Sequence, residues 1–279
     1  MTRRMAIPMF ALLMTVVACT GQTATTGPSD RVASAYGLPP TTGVFDYQLG
    51  GTYSPSGTID VVVRDATADP LQGAYSICYV NGFQTQPGDA AMWKGRADLL
   101  LHDAHGDLVT DPDWNDEYIL DPSTAAQREG ILDILTPVIV GCADAGYDAV
   151  EIDNLDTFDR FDQIDVNGAM ALASAYVEIA HKSGLAIAQK NAAETTTAAH
   201  EDLGFDFAVA EECAVHDECA AYTSVYGPHV LQIEYPDSLE DAGMTFADAC
   251  ALPDRAPLMI LRDRGLVAQG VEEYRFESC

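Results

Sequence analysis

The chain has 279 residues, with 43 acidic against 14 basic side chains and a formal net charge of −29. That balance excludes a nucleic-acid binder, which needs a basic face to displace counterions, and makes anionic membranes and phosphorylated ligands poor partners. With 48% hydrophobic residues the chain is not disordered, and its length suits a single α/β barrel of about 250 residues as well as two smaller domains.

Arg3 and Arg4 precede an apolar stretch over residues 5–18. It is too short and wrongly flanked for a membrane span and reads as a secretory signal. It closes on Val16-Val17-Ala18-Cys19, which resembles the bacterial lipobox, in which the cysteine is acylated and becomes the mature N-terminus. A plain secretion signal is the alternative. Removing residues 1–18 leaves 12 basic against 43 acidic side chains, a balance of −31. Residues 19–42, rich in Thr, Ser, Gly and Pro, read as a flexible tether. Residues 43–279 remain as one domain, touching a membrane only through the lipid on Cys19.

Within that domain, short apolar runs alternate with longer amphipathic stretches. The runs cover 44–49, 59–64, 76–80, 149–153, 186–190, 207–211, 230–235 and 258–262. Their continuous, β-branched-rich character predicts strands buried on both faces. The clearest helices are expected over 124–145 and 167–183, with Gly146 and Gly184 as C-terminal stops. Eight strands alternating with helices predict an α/β fold of the (β/α)8 TIM-barrel type, with an open doubly wound sheet as the alternative. Nearly every run ends in polar residues: Asp46 and Gln48, Asp65, Tyr79 and Asn81, Asp153 and Asn154, Lys190 and Asn191, Glu211 and Glu212, Glu234 and Tyr235, Arg262 and Asp263. A barrel gathers such ends on one face, where active sites sit.

Beyond Cys19 there are six cysteines, an even number that suggests disulfides in an exported protein. Cys213 and Cys219 are close enough to clip one loop, and Cys250 with Cys279 would pin the C-terminus. Cys78 and Cys142 are what remains, either a third bridge or two buried thiols. No CxxC pair occurs, which disfavours a structural zinc site.

Carboxylates at two strand ends stand out. Glu151 and Asp153 share one face of the fourth strand, because side chains alternate with a period of two. Glu211 ends the sixth. The ends of strands four and six flank the axial cleft of a barrel, and a carboxyl pair across such a cleft is what glycoside hydrolysis requires. Salt bridges or solvated loop charges are the alternative. Lys190, ending the fifth strand between them, would hold one carboxylate ionised. Tyr79 and Tyr235 offer amphipathic rings of the kind that line sugar subsites.

These residues resemble glycoside hydrolase family 114, the endo-α-1,4-polygalactosaminidases and their bacterial relatives. The resemblance rests on Tyr47-Gln48-Leu49, Ile77-Cys78-Tyr79-Val80, the run from Gly146 to Asn154, Gln189-Lys190-Asn191, the run from Phe207 to Cys213, and Ile233-Glu234-Tyr235. It implies a TIM barrel that hydrolyses an α-1,4-linked, galactosamine-rich polysaccharide by a retaining mechanism, without metal or organic cofactor. It assigns Asp153 as nucleophile and Glu211, rather than Glu212, as general acid/base. Asp65, Tyr79, Asn154, Lys190, Asn191, Glu234 and Tyr235 are the expected substrate-binding residues. Many family members carry a Gly-Ser turn followed by Glu and Arg after the third strand. Here that segment reads Asn81-Gly82-Phe83-Gln84-Thr85-Gln86-Pro87, which bears on the sugar recognised.

Other patterns carry less. His102 and His105 read as loop surface. Asp111, Asp113 and Asn115 have the opening spacing of a calcium loop, but Asp116 stands where it needs Gly and Pro122 where it needs Glu. Asp121 and Trp114 are candidates to close over the cleft, and Trp93 is expected in the core. No phosphate loop or Gly-x-Ser-x-Gly elbow occurs. The expected partner is therefore a polysaccharide, in its deacetylated form a cationic one that an acidic cleft attracts. A carbohydrate-binding barrel without catalysis, or a glycosidase for another α-linked glycan, are the alternatives.

Overall fold

The computed structural model describes residues 36–279. The expected signal segment, Cys19 and residues 19–35 of the tether lie outside the described residues.

Nine strands form one sheet in chain order: β1 (Phe45–Gln48), β2 (Val61–Asp65), β3 (Tyr75–Asn81), β4 (Ala149–Asp153), β5 (Ala186–Lys190), β6 (Phe207–Glu211), β7 (Val230–Glu234), β8 (Leu258–Arg262) and β9 (Phe276–Ser278). Each of the eight expected runs holds one of the first eight, shifted by one or two residues at some ends. Pairings from β1 to β8 are parallel, with Tyr79 opposite Glu151 and Asn81 opposite Asp153. The unanticipated β9 runs antiparallel to β8.

The sheet curls until β8 approaches β1. Arg262 on β8 donates to the carbonyl of Tyr47 on β1 and lies 2.8 Å from Asp46 Oδ1. Just past the strand ends, Gly50 and Val267 bridge in parallel. A continuous β1–β8 ladder is not among the pairings of the described residues. The fold is thus α/β with a curled, mainly parallel sheet, which stops short of the fully hydrogen-bonded closure expected of a (β/α)8 barrel.

Alternation along the strands divides the core into two layers. Phe45, Tyr47, Val61, Val63, Ile77, Phe207, Val209, Leu231, Ile233, Leu258 and Ile260 fill the concave side, with Ala149, Ala186 and Ala188 making room among them. Cys78, Val80, Val150, Ile152, Ile187, Ala208 and Leu261 face the other way, into the layer covered by helices.

The helices are α1 (Ala90–Lys94), α2 (Ala125–Ala145), α3 (Thr157–Arg160), α4 (Val166–Lys182), α5 (Thr196–Ala198), α6 (Cys219–Tyr226), α7 (Pro236–Asp241) and α8 (Phe246–Cys250). Thr124 opens α2 with a reciprocal capping box to Gln127, and Gly146 closes it in the left-handed conformation. Asp165 caps α4 through the amide of Gly168, so that helix starts one residue before the expected one. All three cysteine pairs are bonded: Cys78 to Cys142, Cys213 to Cys219 and Cys250 to Cys279. The first ties α2 to β3. The last fixes the chain end that carries β9.

The chain enters the domain beneath the sheet. Tyr36 stacks on His181 at 4.4 Å between ring centres. Tyr75 at the start of β3 donates to the carbonyl of Gly37, and His229, just before β7, contacts the carbonyl of Pro39. Asp60, just before β2, accepts from the amide of Val44. His181 is in the last turn of α4, and the other contacts lie at the N-terminal ends of strands, the end opposite to the polar cluster described next. No helix among the described residues is long and apolar enough to cross a membrane.

Candidate active site

The inward-facing residues at the C-terminal ends of β4, β5 and β6 converge on one ammonium group. Lys190 Nζ lies 3.0 Å from Glu211 Oε2, 3.4 Å from Asp153 Oδ1 and 3.4 Å from Glu151 Oε1. It also donates to the Tyr47 hydroxyl at 3.0 Å and sits over the rings of Tyr47 and Tyr79. Asp153 and Glu211, from second-neighbour strands, thus share one cation. Glu151 lies one turn of the strand pleat below Asp153 and is fully buried.

Each acidic group has its own tyrosine. Tyr47 donates to Glu151 Oε1 at 2.7 Å, Tyr79 to Asp153 Oδ2 at 2.6 Å, and Tyr235 to Glu211 Oε1. Burial first, and then the adjacent carboxylates, push all three phenols well above their ordinary range, so they act as donors. Tyr79 and Tyr235 therefore orient the carboxyl groups, a role beyond the sugar-lining one expected of their rings.

The residues after these strand ends adopt the left-handed conformation: Asn154 with φ 67°, Asn191 with φ 50° and Glu212 with φ 60°. Asn tolerates this region; for Glu212 it stores strain, as often found at functional sites. The reversal brings Asn154 and Asn191 back towards the site. Asn191 donates to Glu211 Oε2 at 3.2 Å and accepts from the Glu211 amide at 2.8 Å. The Asn154 amide donates to Asp153 Oδ1 at 2.8 Å, while its side-chain amide donates to Asn81 at 3.0 Å.

The electrostatics separate the carboxyl groups. Burial alone would raise Glu211, but the Lys190 ammonium and hydrogen bonds from Tyr235, Lys190 and Asn191 outweigh it and hold the group below its ordinary value. Glu151 is pushed up to about 7, chiefly by burial, which Lys190 opposes and the Asp153 charge reinforces. Lys190 stays charged: burial disfavours the ammonium, and Asp153, Glu211 and Glu151 outweigh it.

The long segment between β3 and α2 contributes residues that the sequence did not mark. Glu117 accepts from Asn81 at 3.1 Å, and burial, then the charges of Asp153 and Asp111, push it up to about 7. Arg160, in α3, binds Asp111 at 2.5 Å and Asn154 at 2.9 Å. Asp111 is itself buried and bound by Gln84 at 2.8 Å, so it serves as an anchor of this segment. Asp121 accepts from Ser123 and Gln127 at the start of α2, where it organises the helix entry. Trp93 is in the core, and Trp114 is 53% exposed. Only two cues in the sequence pointed to these residues: the strand-end position of Asn81 and the acidic spacing at Asp111.

Two expected substrate-binding residues stand apart from the cluster. Asp65 lies at the rim, where it accepts from Thr67 and, at 3.0 Å, from Gln86. Glu234 is on the far side of the sheet, fully buried, accepting from Gln232 at 2.8 Å and from the Ala214 amide at 3.0 Å. Its place in the cleft is corrected by strand alternation: Tyr235 points inward, so its neighbour Glu234 points outward. Glu234 also meets Cys213 and Cys219, but the two sulfurs are bonded to each other and offer no thiolate to an ion.

A curled parallel sheet with two carboxylates at alternate strand ends is the architecture of an α/β-barrel glycosidase. The profile of glycoside-hydrolase family GH114 matches residues 26–279, and the chain belongs to that family, so it is a glycoside hydrolase acting on O-glycosyl bonds. Among solved structures it is similar to Ega3 of Aspergillus fumigatus, solved in complex with galactosamine: 21% identity, TM-score 0.68, covering 89% of this chain and 100% of that one. It is also similar to the glycoside hydrolase domain of PelA from Pseudomonas aeruginosa, with 16% identity, TM-score 0.56, and coverage of 82% and 96%. At these identities the likeness concerns the fold. Comparison with curated proteins gives no match.

Proposed function

We propose that this hydrolase is an endo-acting, retaining enzyme that cleaves an α-1,4-linked, galactosamine-rich polysaccharide. In this reading Asp153 is the nucleophile and Glu211 the general acid/base. The observation that carries it is the shared contact of Asp153 and Glu211 with Lys190. Contacts of 3.4 and 3.0 Å to one nitrogen bound the separation of those two oxygens at about 6.4 Å. That limit fits a retaining pair, set about 5–5.5 Å apart, better than an inverting pair, which leaves room for a water. Asp153 attacks the anomeric carbon while the other carboxyl protonates the leaving oxygen; water then resolves the glycosyl-enzyme with Glu211 as base. The galactosamine bound in Ega3 and the acidity of this chain support a cationic amino-sugar polymer.

The same proposal extends to the setting. The Arg262 contacts across the β1–β8 seam support a barrel closed by side chains. Residues 43–279 form one catalytic domain, and the sequence at Cys19 supports a lipid-anchored protein at the cell surface. A binding-only reading would cite the altered segment at Gln84–Gln86, since a lost subsite is one route to lost catalysis. Gln84 is a buried strut to Asp111, which weakens the view that a sugar contact was lost there.

The test is incubation with a partly deacetylated α-1,4-galactosamine polymer, following reducing ends and product anomers by NMR. New ends with the α-anomer appearing first are expected. A β-anomer first would overturn the retaining assignment, and binding without product would overturn hydrolysis of this polymer.

A further inference from the structure

The cluster holds more negative charge than it can stabilise. Glu151, Asp153 and Glu211 face a single ammonium, and the nearest other groups, Tyr47, Tyr79 and Tyr235, are neutral donors. Burying an excess charge without a partner is costly, so such a site retains a proton. Glu151 is where it costs least to keep it. This residue is 0% exposed, it lies deepest, and its Oε2 has no hydrogen-bond partner, as a carboxyl with a spare oxygen would leave it.

A continuous chain of contacts joins that carboxyl to Glu211. Glu151 Oε1 meets the Tyr47 hydroxyl at 2.7 Å, Tyr47 meets Lys190 Nζ at 3.0 Å, and Lys190 meets Glu211 Oε2 at 3.0 Å. We infer that Glu151 stores the proton of the site and supplies it to Glu211 through Tyr47 and Lys190. The inference rests on the acid/base role proposed above for Glu211.

The transfer balances within the protein. Lys190 gives an ammonium proton to Glu211 Oε2; the Tyr47 hydroxyl, which donates to Glu151 at rest, turns to the freed Lys190 nitrogen and gives it its proton; the Glu151 carboxyl then turns its O–H to the Tyr47 oxygen and gives it that proton. Only O–H and N–H bonds change. Lys190 and Tyr47 end as they began, the negative charge moves from Glu211 to Glu151, and Glu211 becomes the acid that the leaving oxygen requires. When water resolves the glycosyl-enzyme, Glu211 takes up a proton and the same chain runs backwards. The groups facing Glu151 are Tyr47 from β1, Tyr79 from β3, Asp153 from β4, Lys190 from β5 and Glu211 from β6, and Lys190 is the one cation among them. Glu151 is thus a positioning residue, acting through Lys190 without touching the substrate.

Two measurements test this. The first needs no substrate: infrared difference titration of the intact protein, wild type against Glu151→Gln. A protonated-carboxyl band that survives above pH 6, disappears near pH 7 and is missing from the variant is expected; identical spectra would overturn the inference. The second compares pH profiles of polymer cleavage for wild type, Glu151→Gln and Tyr47→Phe, the last keeping the carboxyl but breaking the chain of contacts. Both variants should lose about tenfold or more in kcat at neutral pH with KM little changed, and recover as acid protonates Glu211 directly. Folded variants that keep the wild-type profile would overturn it. A wild type that cleaves no polymer would overturn the proposed function instead, and the infrared result would still decide where the proton sits.

Discussion

Two charged clusters sit at the same end of the sheet and are built on opposite principles. At the β1–β8 seam, Arg262 is paired with Asp46 at 2.8 Å and Asp263 at 3.5 Å. Asp46 also receives the Tyr47 amide, Gln48 and Tyr53, and Asp263 receives the amides of Val267 and Arg275. Every charge there has partners fixed in place. At the ends of β4 to β6, three carboxylates compete for one lysine, and one carboxylate oxygen is left unmatched. Both clusters are buried, and burial tolerates charge only when it is compensated. The matched cluster holds the sheet together. The unmatched one keeps an imbalance of charge, which the proposed mechanism would use.

That contrast breaks first if catalysis survives at the wrong place. Asp153→Asn and Glu211→Gln should each lower kcat by about 10²–10⁴-fold, while thermal melting barely moves. Arg262→Leu should do the reverse. Removing one partner of a buried pair strands Asp46 and should destabilise the fold by about 3–5 kcal/mol in urea unfolding, with the folded fraction still active. Inactive but fully stable Arg262→Leu would erase the distinction between the clusters.

A subtler effect concerns stability and pH. The Glu151 carboxyl holds its proton up to about 7 in the fold, against 4.5 for a free glutamate. Its contribution is therefore complete below about pH 4.5 and is lost as pH rises through about 7. Wild type should lose stability across that window relative to Glu151→Gln; parallel curves would show that the imbalance is placed elsewhere. The smallest effect is ionic. Cleavage of a cationic polymer should slow as salt rises, and a salt-independent rate would reduce the acidic surface to mere solvation.

Much of this was legible in the sequence, for identifiable reasons. Strands buried on both faces leave continuous apolar runs, so β4, β5, β6 and β8 appear there with their final bounds. Charged residues closing such runs marked Asp153, Lys190 and Glu211. Glu234 misled because the sequence shows that two polar residues end β7 and leaves open which one turns inward. Asn154 and Asn191 escape the same alternation through their left-handed backbone, a conformation that Asn at a strand end permits and does not announce. Glu117 was hidden because it reaches the site across some forty residues of aperiodic chain between β3 and α2, and Arg160 because the one-turn helix α3 just after β4 carries no periodic pattern. Strand β9 was hidden because its three residues take their place from the Cys250–Cys279 bond and the edge of β8.

The entry of the chain at Tyr36, Gly37 and Pro39 sets a direction. These contacts lie at the opposite end of the strands from Lys190, Asp153 and Glu211, so a label or fusion placed at Tyr36 would stand clear of the carboxyl cluster.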